Sequence, residues 1–361
     1  MRSSLLNVTL SIILVVLVGW LLVAGRTLLL PFVIALIVWY LINALSHGFQ
    51  LIRLGDRHLP GWIAFPLSLA TIFIAGTFVF DMVAANLAQL ARDAPVYQGR
   101  LEEVFDQISG LVHLNDPIKL EDFLPDAIVP KLVTAGAGFV TTVAGSASLV
   151  FIYTLFLLLE QSTFDLKLER VFTDPAKARA AFAVRSEINK SILHYFSIKT
   201  VVSIATGVLT SLVLTVMDLP YAPLFGFIAF LLNYIPTIGS LVSVIFPSLL
   251  AVVYYDDLVP FFVIATGLGA IQFSIGNLIE PKLMGSSLNL SGLVIMLSLA
   301  FWGSIWGAVG MVLCVPLTVL IMIVCSKFEA SRPVAVLLSA NGAIADPPGR
   351  DAPGVHGHDT R

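Results

Sequence analysis

Charged residues cluster along this chain, and the stretches between the clusters are apolar. Eight runs contain no Asp, Glu, Lys or Arg: 3–25, 27–52, 58–80, 132–159, 200–217, 219–255, 258–279 and 283–326. A bilayer-spanning helix needs about 20 mostly apolar residues, so each run is near or above the length of a span. The pattern predicts an all-α polytopic membrane protein with about eight transmembrane helices. A membrane β-barrel would show segments of about 10 residues alternating in polarity, and no comparable stretch does so. The apolar stretch Leu5 to Ala24 exceeds the apolar region of a signal peptide, about 7–15 residues. Another apolar run follows after Gly25-Arg26, so the first reads as a retained helix in a tight hairpin with the second.

Runs 219–255 and 283–326 are too long for one simple span, and both contain helix breakers. Pro236 and Gly239 interrupt the first; Gly303, Gly307, Gly310 and Pro316 interrupt the second. Proline removes a backbone donor and disrupts the helix around it. Irregular backbone at membrane depth is tolerated only where protein buries it or where it lines a wet cavity. Broken or re-entrant helices are therefore expected in the C-terminal half, and with them the place to look for a substrate path. Gly303 and Gly307 form a G-x-x-x-G, read here as helix packing, and Trp302 and Trp306 are expected at an interfacial belt. A faint echo links Gly239…Pro247 with Gly310…Pro316.

The charges between the runs give an orientation. Residues 81–131 carry Arg92, Arg100, Lys119 and Lys131 among a majority of acidic side chains. Residues 160–190 carry Lys167, Arg170, Lys177, Arg179, Arg185 and Lys190 in slight excess over acids. The positive-inside rule puts the second stretch in the cytoplasm and the first outside. The chain then divides into three N-terminal membrane helices (1–80), an extracytoplasmic helical segment (81–131) and a fourth membrane helix (132–159). A cytoplasmic amphipathic helix (160–199), a C-terminal transport core (200–326) and a disordered cytoplasmic tail (327–361) complete it. In the outer segment Leu101, Val104, Phe105, Ile108 and Leu111 share one helix face, ended at Asn115-Asp116-Pro117. In the inner one a helix starts at Asp174-Pro175, with Val184, Ile188, Ile192 and Tyr195 at helical spacing. Lys199, at its end, is read as snorkelling to the headgroups.

Composition narrows the function. The chain of 361 residues is 58% apolar and only 12% charged, with a net charge of −3. That charge is too little to cover several soluble surfaces, and there is no basic surplus for nucleic acid. Cys314 and Cys325 lie in apolar sequence with no disulfide or metal spacing, and His356 and His358 sit in a Pro/Gly-rich tail. There is no phosphate-binding G-x-x-x-x-G-K-[ST], no H-E-x-x-H, no C-x-x-C and no G-x-S-x-G. No enzyme, cofactor or metal is expected.

What remains is a polar set near the breakers. Asn233-Tyr234-Ile235-Pro236-Thr237-Ile238-Gly239 places amide, phenol and hydroxyl groups around a disrupted helix. Gln272 and Asn277 lead to Glu280-Pro281-Lys282. Freed amides at a half-helix N-terminus suit an anionic or hydroxyl-rich solute. The competing structural reading is that these groups only join neighbouring helices.

Leu232-Asn233-Tyr234-Ile235-Pro236-Thr237-Ile238-Gly239 resembles the I-P-x-x-G signature of the autoinducer-2 exporter family. Asn277-Leu278-Ile279-Glu280-Pro281-Lys282-Leu283-Met284-Gly285 is similar to the family's C-terminal signature. It continues through Leu297 to Gly303, Trp306 to Met311 and Val315-Pro316-Leu317-Thr318. The resemblance extends over about 1–330. It implies a bacterial inner-membrane protein of about eight spans, both termini cytoplasmic, acting as a homo-oligomeric secondary transporter in the lipid bilayer. Some members export the quorum-sensing signal autoinducer-2 and others exchange Na⁺ for H⁺.

Three readings follow. A small polar solute would pass Asn233, Tyr234, Pro236, Thr237, Gly239, Gln272 and Asn277, with Glu280 and Lys282 beside them. A Na⁺/H⁺ antiporter needs a carboxylate at membrane depth. Glu280, with Lys282 as partner or competitor, is the candidate, because no acid lies inside any run. A scaffold would have no use for the breaks. Pro281, Gly285, Gly303, Gly307, Gly310 and Pro316 are assigned to breaks and packing.

Overall fold

A computed structural model describes residues 2–54, 57–112, 128–172, 174–255, 257–285 and 289–344. The helices are α1 (Arg2–Ala24), α2 (Arg26–Gln50), α3 (Gly61–Val112), α4 (Ile128–Glu160), α5 (Phe164–Val171) and α6 (Pro175–Val216). They continue as α7 (Ala222–Leu232), α8 (Ile238–Tyr254), α9 (Val259–Met284), α10 (Gly292–Ser326) and α11 (Arg332–Leu338). A two-stranded hairpin, β1 (Arg53–Leu54) and β2 (Arg57–His58), turns the chain between α2 and α3.

The protein is thus an all-α polytopic membrane protein. Among the described residues five helices are long and apolar enough to cross a membrane. A sixth span is counted when Ala144–Glu160 and Phe164–Val171 are taken as one broken span. Phe73 and Phe78 of α3 and Phe151 and Phe156 of α4 are mostly exposed, as side chains facing lipid must be.

The chain forms two compact units: residues 1–160 with 196–284, and residues 161–195 with 285–361. In the first, α2 packs against α3 and α4, and α8 against α9. Leu214, Leu219, Ala222, Ala251, Ile264 and Leu268 form a core where the ends of α6, α7, α8 and α9 meet. A second cluster joins Val83 and Tyr97 of α3 to Tyr221, Leu224 and Val253.

Two element boundaries differ from the charge map. The third apolar run ends at Asp81, yet α3 runs on to Val112, through Pro95. Charge ends a span because the chain leaves the bilayer; it does not end a helix, since charged residues propagate helices well. The Asn115-Asp116-Pro117 break lies outside the described residues. Beyond α10, the chain does not become irregular at Lys327. Pro333 opens α11, Ala335 is fully buried, and Leu290 bridges Ser339. Residues 345–361, with His356 and His358, lie outside the described residues.

Both runs with internal breakers fold back on themselves. In the first, α7 is 11 residues long, which is about 16 Å against a hydrocarbon core of about 30 Å, so α7 is too short to cross a bilayer. Residues 233–237 turn the chain and α8 returns. Thr237 holds φ 63°, a strained conformation for a β-branched residue. A methyl group on Gly239 would lie 1.7 Å from the Leu232 carbonyl oxygen. Only glycine lets the two arms close this tightly. A reciprocal contact seats α7 on α6, with the Gly207 and Gly226 backbones each facing the other's missing Cβ at 2.7 Å.

The second hairpin is hidden inside the 35-residue α10. Ser298 and Thr318 are 20 residues apart, yet their hydroxyl oxygens are hydrogen-bonded at 2.8 Å; a straight helix would separate them by about 30 Å. The fold-back is at Gly307 (φ 61°, ψ −140°). The G-x-x-x-G is therefore a turn and its approach. Gly303 faces Met311, and a methyl on Gly310 would lie 1.9 Å from the Trp302 carbonyl oxygen. Trp302 and Trp306 are not at an interfacial belt; both are buried, with ring centroids 5.4 Å apart.

Gly239→Ala should abolish a stable fold or cost at least the roughly 1–3 kcal/mol typical of overpacking. Gly76→Ala, with open space around it, should be neutral or slightly stabilising, because alanine is the better helix former. Thermal unfolding of the detergent-purified variants separates the two.

Candidate functional site

A hydroxyl at membrane depth can satisfy itself by donating to the carbonyl one turn back on its own helix. Ser68, Thr154, Thr206, Ser243 and Ser248 do this, bonding Ala64, Val150, Val202, Gly239 and Val244 at 2.7–2.9 Å. Such residues need nothing from a neighbour. The side chains that bond across helices are therefore the informative ones, and in the first unit three such pairs gather at the α7–α8 turn.

Asn233 Nδ2 donates to Ser203 Oγ of α6 at 2.9 Å, and both side chains are buried. The Tyr234 hydroxyl lies 2.7 Å from Thr200 Oγ1, with Phe230 edge-on to its ring. One residue before Thr200, Lys199 Nζ meets Glu280 Oε1 of α9 at 2.5 Å. Lys199 and Ser203 are one helical turn apart, so they share a face of α6. The site thus has an ammonium, a carboxylate, an amide, a phenol and two hydroxyls, drawn from three elements.

The geometry of α9 brings Glu280 to this point. Residues Ser274–Ile279 form a π-helical turn before Glu280 and Pro281. A π turn inserts an extra residue and shifts the register of everything after it. Pro281 supplies no amide hydrogen to the turn before it.

Several expectations change here. Lys199 does not snorkel; its side chain is 7% exposed. Lys282 is exposed, and the ion-pair partner of Glu280 is Lys199, not Lys282. The amides after the break are largely used within the turn: Ile238 and Gly239 donate to Pro236 and Ile235 carbonyls, and Leu241 to that of Thr237. Backbone anion capture gives way to side-chain chemistry. Thr237 is exposed, and Asn277 is exposed and donates to its own helix at Phe273. Gln272 is buried two turns before Glu280. Gly303, Gly307, Gly310 and Pro316 belong to the second unit. Among the described residues no three metal-ligating side chains cluster.

A further polar group lies at the opposite ends of these helices. Arg100 of α3 donates to the last carbonyls of α8, Val253 and Tyr254, at 3.3 and 2.9 Å, a cation at a helix C-terminus. The Tyr221 hydroxyl donates to Asp93 Oδ2 at 2.5 Å. Burial, then the Asp93 hydrogen bond, pushes the Tyr221 phenol well above its ordinary range, so it stays a donor. Tyr97 beside it is also raised, mainly by burial.

A model of the AI-2E family transporters matches residues 10–329. The AI-2 transport protein TqsA of Escherichia coli K12 is 30% identical over 316 residues, 86% of this chain and 89% of that protein. A putative transport protein of Haemophilus influenzae is 31% identical over 294 residues, 78% and 83% of the two chains. The putative transport protein YhhT of E. coli K12 is 28% identical over 280 residues, 76% and 79%.

Removing one partner of a buried ion pair strands the other charge and typically costs about 3–5 kcal/mol. Lys199→Met should therefore lower the unfolding temperature sharply, and the double variant Lys199→Met/Glu280→Gln should recover most of the loss. A double variant as unstable as the single one would assign the loss to packing.

Proposed function

The chain belongs to the AI-2E transporter family, and we propose that it is a secondary transporter exporting a small polar solute, autoinducer-2 or a close chemical relative. The cross-helix cluster at the α7–α8 turn carries this reading: neutral donors and acceptors from Ser203, Asn233, Thr200 and Tyr234 at a break inside the bilayer. Hydroxyl and amide groups suit an oxygen-rich solute without a net charge. Gln272 extends the path into the span, and Thr237 and Asn277 stand at its exposed edge. The relative named for AI-2 transport supports the solute. The reading places the protein in the bacterial inner membrane, with both termini cytoplasmic, as a homo-oligomer contributing to quorum sensing.

Na⁺/H⁺ exchange is the second reading, favoured by the carboxylate of Glu280 with its side chain only 17% exposed. Ionisable groups at membrane depth are costly and mark function.

Purified protein in liposomes discriminates the two when labelled autoinducer-2 flux and internal pH are followed together after a sodium pulse. Export gives solute flux without a sodium-dependent pH change; antiport gives the reverse. Asn233→Ala and Ser203→Ala should each lower flux per folded transporter about tenfold, the worth of about one hydrogen bond, and each should also cost about 1–3 kcal/mol of stability for the partner left unpaired. Unchanged flux in both variants removes the proposed path.

A further inference from the structure

The export reading leaves one feature of the site unused. A buried ion pair is a poor source of stability, since well-packed apolar residues serve as well or better. Yet Lys199 and Glu280 close on each other across two helices, on the same turn of α6 that carries the hydroxyls of the candidate path.

We propose that the Lys199–Glu280 pair is the coupling site of the transporter, where the exported solute and a proton compete for the Glu280 carboxylate. This rests on the export reading above. In the empty site the Lys199 ammonium is a tethered counter-cation and neutralises the carboxylate. A neutral solute carrying both hydroxyl and carbonyl oxygens inserts between the two: a hydroxyl donates to Glu280, and an oxygen accepts from Lys199. Ser203, Asn233 and Tyr234 receive its remaining polar groups.

A proton arriving from the bulk instead binds a Glu280 oxygen. The carboxylate charge is then gone, and the neutral acid no longer accepts strongly. The site carries one net positive charge on Lys199, which repels cations and weakens the solute. The same proton leaves Glu280 when the solute returns, so each binding event displaces the other and solute efflux is exchanged against proton entry. The ionisable groups around this point are Lys199 of α6, Tyr234 of the α7–α8 turn, and Glu280 with the exposed Lys282 on α9. Tyr234 is hydrogen-bonded to Thr200 and Lys282 is exposed, which leaves Glu280 as the carboxylate that both ligands can reach. The pair also sets the substrate class: a site of zero net charge with one strong donor and one strong acceptor favours neutral polyoxygenated molecules over anions or metal cations.

The test mixes autoinducer-2 with the full-length protein in weakly buffered, mildly acidic detergent solution containing a pH indicator, with binding read in parallel by equilibrium dialysis. With the pH lowered until the empty site takes up its proton, wild type should release protons, at most one per solute bound, and lose affinity by up to about tenfold per pH unit below that point, as linkage requires. Glu280→Gln should bind more weakly, release none and lose the pH dependence; Glu280→Asp should restore the release. If Glu280→Gln does not fold, Lys199→Met/Glu280→Gln, which buries no unpaired charge, gives the same readout. Proton release that persists in these neutral variants overturns the proposal, as does wild-type binding without release or with release driven by sodium rather than by the solute. Folded wild type that binds no autoinducer-2 overturns the solute assignment and the competition with it.

Discussion

A helix that ends inside a bilayer must hand its loose backbone groups to other protein atoms, because no water is there to take them. The α7–α8 turn meets that constraint with its own carbonyls: Tyr234, Ile235, Ile238 and Gly239 all donate within residues 231–239. The turn is tight enough that the Leu232 carbonyl occupies the place where a side chain on Gly239 would begin. The α10 hairpin solves the same problem with Gly310 against Trp302 and the fold-back at Gly307. Each returning arm then carries a buried proline, Pro247 or Pro316. The echo between Gly239…Pro247 and Gly310…Pro316 is thus a shared way of building a broken hairpin, one in each unit.

Once the backbone is satisfied within the turn, side chains are left to define the chemistry. Most buried hydroxyls bond one turn back on their own helix, so their polarity is spent locally. Bonds between helices mark where they are joined by more than shape: in the first unit Asn233 to Ser203, Tyr234 to Thr200, Lys199 to Glu280, Tyr221 to Asp93 and Arg100 to the last carbonyls of α8. The first three lie around a single turn of α6. That turn is seated on α7 through the Gly207–Gly226 contact, whose close approach lets side chains as short as Ser203 and Asn233 reach each other.

The fold class and the breaks in the C-terminal half were legible because both rest on local signals. Missing charge marks a span, and Gly or Pro inside a long apolar run marks a break. Lys199 was not legible as part of the site. A charge map records distance from the end of a run but not the direction a side chain takes around the helix axis, and Glu280 is 81 residues away. The flanking hydroxyls, Thr200 and Ser203, were missed for the same reason. One signal was present: Lys199, Ser203, Thr206 and Thr210 recur at helical spacing, and a polar stripe on an otherwise apolar span faces protein and not lipid. The periodicity at 101–111 shows a helix there, but it carries no signal that this helix is continuous with the preceding span as α3, because charge and helicity are independent properties.

Family membership and residue chemistry bear on different questions. The family establishes a transporter, while relatives at similar distance carry names that specify no solute, and a fold hosts many specificities. The decision about solute then falls to the groups that cross between helices. Four neutral partners alone would accept many polar molecules, and a lone buried carboxylate would demand a cation. The structure has neither alone: it sets a self-neutralised carboxylate and ammonium beside neutral donors. An ion entering such a site must break the internal pair and bring its own charge into a low-dielectric region, whereas a neutral molecule with oxygen donors and acceptors can bridge the pair and leave both charges compensated. On the proposed export reading the ion pair would act as a filter on charge, and the hydroxyl and amide groups around it on shape and hydrogen bonding.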